Sequence, residues 1–177
     1  GCAMSPSERS SWSGGRPGHS SVPHGDNPLL HLSAVLDRLG GRLPHRVTAS
    51  ARAFFEGAAA AQTRPEVAAL LRALLDPKRQ ESALAQLPVD EPTRLMFDGM
   101  LRNTCAPTML EAGVKRNVIP SEATVKLSGR TLPGMDQETF LAEVRALVGA
   151  GPEFRLDNYW AGGEFPSDTP LLAAIQS

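Results

Sequence analysis

The sequence predicts an α+β fold in which an antiparallel sheet carries two helices on one face. Three observations lead to this prediction: an apolar stripe at helical spacing over residues 28–39, a second stripe over residues 137–149, and alternation of apolar and polar residues within 121–132. A long helical pattern over residues 48–101 separates the first helix from the strands that follow it. It is predicted to be an all-helical insertion at one end of the sheet.

The first predicted helix, Pro28–Leu39, has clear start and stop signals. Asp26 or Asn27 can cap it, because a short polar side chain accepts a hydrogen bond from the first-turn amides. Pro28 suits the first helical position, and Gly40-Gly41 ends the helix. Its apolar stripe consists of Leu32, Val35, Leu36 and Leu39.

The second predicted helix begins after Asp136, a natural N-cap, and ends before Gly149. One apolar face is expected to lie on the sheet. Its residues are Phe140, Leu141, Val144, Leu147 and Val148.

The helical block between residues 48 and 101 is divided by prolines, which are tolerated at helix starts and excluded from helix interiors. These prolines are Pro65, Pro77, Pro88 and Pro92. The block is therefore predicted to be several short helices with no strand among them.

Four segments are predicted to be strands: Arg9–Arg16, Asn103–Ala112, Ser121–Leu132 and Glu153–Trp160. In the third, Val125 and Leu127 alternate with polar neighbours, which indicates one buried face. The resulting order is strand, helix, helical insertion, strand, strand, helix, strand. This order predicts a ferredoxin-like β-α-β-β-α-β arrangement with a four-stranded antiparallel sheet.

Composition excludes several classes of protein. The formal net charge of −1 over 177 residues argues against a nucleic-acid binder, which needs excess Lys and Arg to neutralise phosphates. No run reaches the roughly 18 apolar residues of a membrane span. The two cysteines, Cys2 and Cys105, are too few and too differently placed to predict a disulfide framework. A cytoplasmic protein is expected.

No complete catalytic site is visible in the residues themselves. The four histidines, His19, His24, His31 and His45, match no common metal-ligand spacing. There is also no Gly-x-Ser-x-Gly elbow, and Cys105 has no activating histidine near it in sequence. On the residues alone, the chain is predicted to be a binding or assembly domain without metal ligands of its own.

Four short motifs, in order, resemble the lid or dimerisation domain of the di-zinc aminoacylase/carboxypeptidase family. That family includes acetylornithine deacetylase, succinyl-diaminopimelate desuccinylase and Gly-Xaa carboxypeptidases. The motifs are Gly18-His19-Ser20-Ser21, Asn103-Thr104 with Pro107-Thr108, Asn117-Val118-Ile119-Pro120, and Gly129-Arg130 with Leu132-Pro133-Gly134. The resemblance implies a lid over residues 15–163. Residues 1–14 would be a leading segment or a cloning remnant, and 164–177 a shortened return into a missing catalytic domain.

The resemblance implies a homodimeric hydrolase that cleaves N-acyl amino acids or short peptides with a free carboxylate. Two zinc ions would be bound by the missing catalytic domain and none by this chain. His19 would reach the partner's active site and stabilise the oxyanion, as an imidazole N–H can. Asn117 and Arg130 would hold the carboxylate end of the substrate, and the planar guanidinium of Arg130 suits a carboxylate.

Structural alternatives remain for each of these residues. His19 could be an ordinary turn histidine, Asn117 could serve turn geometry, and Arg130 could be a solvated strand residue. The remaining histidines and Asp26 are expected to be structural. At the level of function, the alternatives are a stand-alone dimerisation module or a small-molecule-binding regulatory domain. An RNA-binding domain is disfavoured, because the strands lack aromatic residues on which bases stack.

Overall fold

The computed structural model describes residues 7–13, by their backbone only, together with residues 15–159 and 162. The elements follow one another along the chain as β1 (Ser7–Ser13), β2 (Gly18–His19), α1 (Pro28–Leu39), α2 (Ala49–Ala60), α3 (Pro65–Ala73), α4 (Gln80–Gln86), α5 (Glu91–Gly99), β3 (Thr104–Ala112), β4 (Val118–Ile119), β5 (Glu122–Arg130), α6 (Gln137–Val148) and β6 (Glu153–Leu156). The predicted α+β class is confirmed. No helix of the described residues is long and apolar enough to cross a membrane.

The main sheet has four strands in the order β3-β5-β1-β6, and each neighbouring pair is antiparallel. The two inner strands, β1 and β5, pair from Ser7 opposite Ser128 to Ser13 opposite Glu122. The edge strand β3 shifts register between Pro107 and Met109. A proline has no N–H for the ladder, so an edge position with a bulge accommodates it.

One face of the sheet carries α1 and α6, as the alternation in β5 predicted. Ala123, Val125 and Leu127 of β5 are buried against the apolar stripes of both helices. Gly129 continues this buried face, and a Cβ there would lie 2.4 Å from the ring of Phe140. Glycine at this position therefore lets α6 approach the sheet closely.

Both predicted helix caps on this layer are present. Asn27, one of the two candidates, accepts a hydrogen bond from Leu29 N at 3.0 Å and so begins α1. Asp136 accepts from Thr139 N at 2.8 Å and begins α6. Two hydrogen bonds to its carboxylate hold the pKa of Asp136 below its usual range. The larger effect comes from the backbone N–H of Thr139 and the smaller one from the Thr139 hydroxyl.

The helical insertion, α2 to α5, has a hydrophobic core separate from that of the sheet layer. Phe54, Phe55 and Phe97 meet edge to face, with ring centroids 5.2–5.9 Å apart. Pro65 and Pro92 lie in the first turns of α3 and α5, as predicted, while Pro77 and Pro88 lie between helices. The insertion is therefore a small helical unit with an interior of its own.

The two ends of the insertion meet where residues 45–46 lie beside residues 101–102, and we call this junction the stem. His45 forms an isolated bridge with Arg102, and Arg46 N donates to Leu101 O at 2.7 Å. The buried Arg102 guanidinium donates to Leu43 O at 2.6 Å and also to the side chains of Gln80 and Asp98. Asp98 is only four positions from Arg102, but Leu43 and Gln80 are 59 and 22 positions away, so no local pattern predicts that this arginine is buried.

A second set of polar side chains, which we call the stem cluster, joins the insertion to α6. It consists of Arg46, Asn103 and Glu143. Arg46 donates to Glu143 Oε1 at 2.6 and 2.9 Å, and Asn103 Nδ2 donates to Glu143 Oε2 at 2.7 Å. Asn103 Oδ1 accepts from Leu132 N at 2.8 Å. The cluster fixes the insertion, α6 and the segment after β5 to one another.

Two strand predictions differ from the structure. The first strand was expected at Arg9–Arg16, yet β1 ends at Ser13, before the segment that contains Gly15 and Pro17. β1 thus lies within residues 1–14. The strand expected at Glu153–Trp160 ends at Leu156 as β6, and Trp160 is outside the described residues. The tail, residues 164–177, is also outside them.

Candidate functional site

A two-stranded ribbon, formed by β2 and β4, extends beyond the end of the main sheet. Gly18 pairs with Ile119 and His19 with Val118, in the same antiparallel sense as β1 and β5. Four residues separate β1 from β2, but only two separate β4 from β5. In the longer segment, Gly15 lies so close to Pro28 that a Cβ on Gly15 would be 2.1 Å from the proline ring. The sequence motifs did not predict the ribbon.

His19 lies on this ribbon with its side chain exposed. Its Nδ1 accepts a hydrogen bond from Ser21 N at 3.2 Å and lies 2.8 Å from Ser21 Oγ. The ring is therefore held through one nitrogen. The other nitrogen, Nε2, lies 3.5 Å from the side-chain nitrogen of Asn117.

Asn117 directly precedes β4 and is also exposed. Its carbonyl oxygen accepts from Ser20 N at 3.0 Å, so backbone pairing continues past the two-residue strands. This pairing brings together two of the predicted site residues, which are 98 positions apart in the chain. We call His19, Ser21 and Asn117 the ribbon cluster.

Arg130 lies at the opposite end of β5 from the ribbon, opposite Thr104 of β3, and it is exposed as expected. It lies eight positions along the chain from Glu122, the first residue of β5. At about 3.3 Å per residue, this corresponds to roughly 26 Å along the strand. Within one chain, His19 and Asn117 are thus neighbours, while Arg130 lies at the far end of the sheet.

The other polar residues of the loop support its backbone. Asp26 accepts from Arg16 N at 3.1 Å, and its second oxygen lies 3.4 Å from His31 Nε2. The ring nitrogens of His24 are buried and have no hydrogen-bond partner among the described residues. A Cβ on Gly18 would lie 3.1 Å from His24 Nε2, so the ring packs directly beneath β2.

Metal ligands are not grouped in this part of the chain. Among the described residues, no set of three or more His, Cys, Asp or Glu side chains could hold a metal ion. His45, the remaining histidine, lies away from the ribbon, and its Nε2 is 3.0 Å from Leu74 O. The polar side chains of the described residues can donate and accept hydrogen bonds here, but they form no set of zinc ligands.

The family model of the peptidase dimerisation domain matches residues 11–153. The chain belongs to this family. The match confirms the resemblance that the four motifs indicated, and it covers the end of β1, the ribbon and the helical insertion. No curated protein matches this chain.

Solved structures share the fold of this dimerisation domain. An M20 family metallo-carboxypeptidase from Sulfolobus solfataricus has a TM-score of 0.55 at 18% identity, over 97% of this chain and 47% of its own. The dipeptidase Dug1p from Saccharomyces cerevisiae has a TM-score of 0.52 at 16% identity, over 96% of this chain and 38% of its own. The dimerisation domain thus spans less than half the length of either peptidase.

Proposed function

We propose that this dimerisation domain belongs to a metal-dependent hydrolase of N-acyl amino acids or short peptides with a free carboxylate. The domain would join two subunits and lend the His19 of each to the active site of the other. The observation that carries this proposal is the presentation of His19, whose Nδ1 is held by Ser21 while the side chain remains exposed. Membership of a peptidase dimerisation family supports it.

The chemistry proposed for His19 is hydrogen-bond donation to the oxyanion that forms when an amide carbonyl is attacked. A fixed donor of this kind contributes about 10²- to 10³-fold to turnover. Two zinc ions would activate the attacking water, and they would be bound by a catalytic domain outside the described residues. Residues 164–177 would lead back into that domain from a lid over 15–163, and the whole enzyme would be cytoplasmic.

Asn117 and Arg130 are proposed to bind the substrate, each in its own way. Asn117 lies beside His19 and would act at the same active site, on the amide or the acyl group. Arg130 is at the far end of β5 and would pair with the free carboxylate of a substrate in a different active site. The distance between them supports an arrangement in which each active site takes His19 and Asn117 from one subunit and Arg130 from the other.

The proposed dimer surface combines the edge of β3 with the outer face of α1, two elements in contact with each other. Within the described residues β3 pairs only with β5, so its other edge is free to pair with a second copy of this chain. Met109 and Leu110 of β3 are 53% and 56% exposed, and Leu30 of α1 is 58% exposed.

We propose that the four-stranded sheet, together with α1 and α6, has a ferredoxin-like fold. The strand order β3-β5-β1-β6 supports this proposal.

Leu110→Glu tests the dimer surface. We expect the unchanged chain to sediment as a dimer and Leu110→Glu as a monomer, because a buried charge at a two-fold contact has no partner. Leu95→Glu is the matched control: Leu95 is 63% exposed on α5 of the insertion, and this variant should stay dimeric. A monomeric unchanged chain, or a dimeric Leu110→Glu, would refute the proposed surface.

His19→Ala in the full-length enzyme tests the catalytic role. Turnover should fall by about 10²-fold or more, since one oxyanion donor is lost, while zinc content stays the same. His31→Ala, which removes another loop histidine, is the control and should retain turnover. Mixing His19→Ala subunits with subunits that carry a defect in the catalytic domain should restore activity in the hybrid dimers. No restoration would mean that His19 acts within its own subunit.

A further inference from the structure

The hydrogen bonds around His19 determine which of its two nitrogens carries the proton. Ser21 N is a backbone amide, which can only donate, and it points at His19 Nδ1 from 3.2 Å. Nδ1 must therefore present its lone pair. In the neutral ring the proton is then on Nε2, the nitrogen that faces Asn117.

The Ser21 hydroxyl can strengthen this arrangement. Its oxygen lies 2.8 Å from His19 Nδ1, and its hydrogen can rotate to donate to the same lone pair. The opposite tautomer would donate from Nδ1 to Ser21 Oγ. That tautomer would also bring the Nδ1 hydrogen against the fixed Ser21 N–H, so that two donors would face each other.

The orientation of Asn117 follows from the same reasoning. Its Nδ2 is placed 3.5 Å from His19 Nε2, yet both groups are donors when Nε2 is protonated. The oxygen and nitrogen of a carboxamide have nearly the same shape, so their assignment rests on the hydrogen-bond network. A half-turn of the carboxamide directs Oδ1 at the Nε2–H and makes the contact attractive.

We propose that Ser21 is a positioning residue that keeps His19 in the Nε2–H tautomer. Asn117 Oδ1 accepts a hydrogen bond from this Nε2–H until an oxygen of the substrate takes the place of Oδ1. The inference rests on the proposed function, since the tautomer matters for catalysis only if His19 acts on substrate. In the resting neutral ring, Nε2 is then a hydrogen-bond donor that suits a carbonyl or oxyanion oxygen. It is not a proton acceptor.

Long-range ¹H–¹⁵N NMR of the ¹⁵N-labelled 177-residue chain tests the tautomer directly. Spectra are recorded at about pH 8, where ordinary imidazoles are neutral. His19 Nδ1 should appear pyridine-like and Nε2 pyrrole-like. His45 is a reference in the same spectrum, because its Nε2 faces the carbonyl oxygen of Leu74 and must carry the hydrogen.

The folded chain is then compared with the same chain unfolded in urea. Folding should raise the ratio of the Nε2–H to the Nδ1–H tautomer of His19 about fivefold, the ratio that one net hydrogen bond supplies. An unchanged ratio, or a pyrrole-like Nδ1 in the folded chain, would overturn the proposal.

Two variants separate the roles of Ser21 and Asn117. Ser21→Ala retains the backbone amide and should keep Nε2–H as the main tautomer, with a smaller increase on folding. Asn117→Ala removes the acceptor of the Nε2–H, but water can take its place at this exposed site, so Nε2–H should remain the main tautomer with at most a small fall in the ratio. A switch to Nδ1–H in this variant would show that Asn117, not Ser21, selects the tautomer. The tautomer is measured without any activity, so a failure of the proposed function would show separately, in the turnover of His19→Ala.

Discussion

The stem cluster and the ribbon cluster each consist of three polar side chains and each join distant parts of the chain, but they differ in burial. Asn103 and Glu143 of the stem cluster are 1% and 8% exposed, and their hydrogen bonds are 2.6–2.9 Å long. In the ribbon cluster, His19, Ser21 and Asn117 are all exposed. The contact between His19 and Asn117 is 3.5 Å long.

The difference in burial determines whether each set of polar groups can exchange its partners. A buried carboxylate or amide without partners costs free energy, so the stem cluster satisfies its members within the chain. Both oxygens of Glu143 are then occupied and cannot bind a ligand. In the ribbon cluster, water can replace any missing partner, so a nitrogen such as His19 Nε2 can exchange a weak contact for a substrate. The comparison predicts opposite effects of mutation in the two clusters.

Glu143→Ala should have the largest effect on stability. It removes the acceptor of Asn103 Nδ2 and of Arg46, and leaves Asn103 Nδ2 buried without a partner. We expect a loss of about 3 kcal/mol in the free energy of unfolding, measured in urea. Glu56→Ala is the control, because Glu56 forms a surface ion pair with Arg52, worth about 0.5 kcal/mol or less. A loss near that of the control would contradict a structural role for the cluster.

Asn103→Asp should have the next largest effect, and one that depends on pH. The change is nearly isosteric, but it sets a carboxylate beside Glu143 Oε2, which now accepts at 2.7 Å. Repulsion should raise the pKa of one of the two carboxyls in the folded state. We expect a loss of about 2 kcal/mol at pH 7. This loss should shrink as the pH falls below the raised pKa, because the folded state then binds the extra proton.

Urea unfolding at pH 7 and at pH 5, each relative to the unchanged chain, measures this effect. Asn103→Ala is the control, since it removes hydrogen bonds without adding a charge and its loss should be similar at both pH values. An Asn103→Asp loss that is equal at both pH values would show that the two side chains do not share one buried site.

Local signals in the sequence predicted the sheet layer well. The bounds of α1 agree with the prediction, because a cap, a proline and two glycines mark its ends within the segment itself. The buried face of β5 also agrees, since alternation over nine residues identifies one side of a strand. The strands of the ribbon have two residues each, which is too short for any periodic pattern, and they were missed.

The features that the sequence did not predict depend on contacts between residues that are distant along the chain. Arg46 and Glu143 are 97 positions apart, and no spacing rule connects them. Asn103 belongs to one of the family motifs, but the motif predicts no role for it. His19 and Asn117 were selected through the family resemblance, and their proximity needed the β2–β4 pairing. The position of Arg130 at the other end of β5 follows from strand geometry, once the strand bounds are known.

His19→Ala and Asn117→Ala should have the smallest effects on stability. Both side chains are exposed, and the ribbon is held by backbone pairing that alanine retains. We expect each variant to unfold within about 0.5 kcal/mol of the unchanged chain in urea. Ile119→Ala, in the same ribbon, should be clearly less stable, because Ile119 is 7% exposed. If His19→Ala lost as much as Ile119→Ala, His19 would be part of the structure that holds the ribbon, and a fall in its turnover could no longer be attributed to a lost donor.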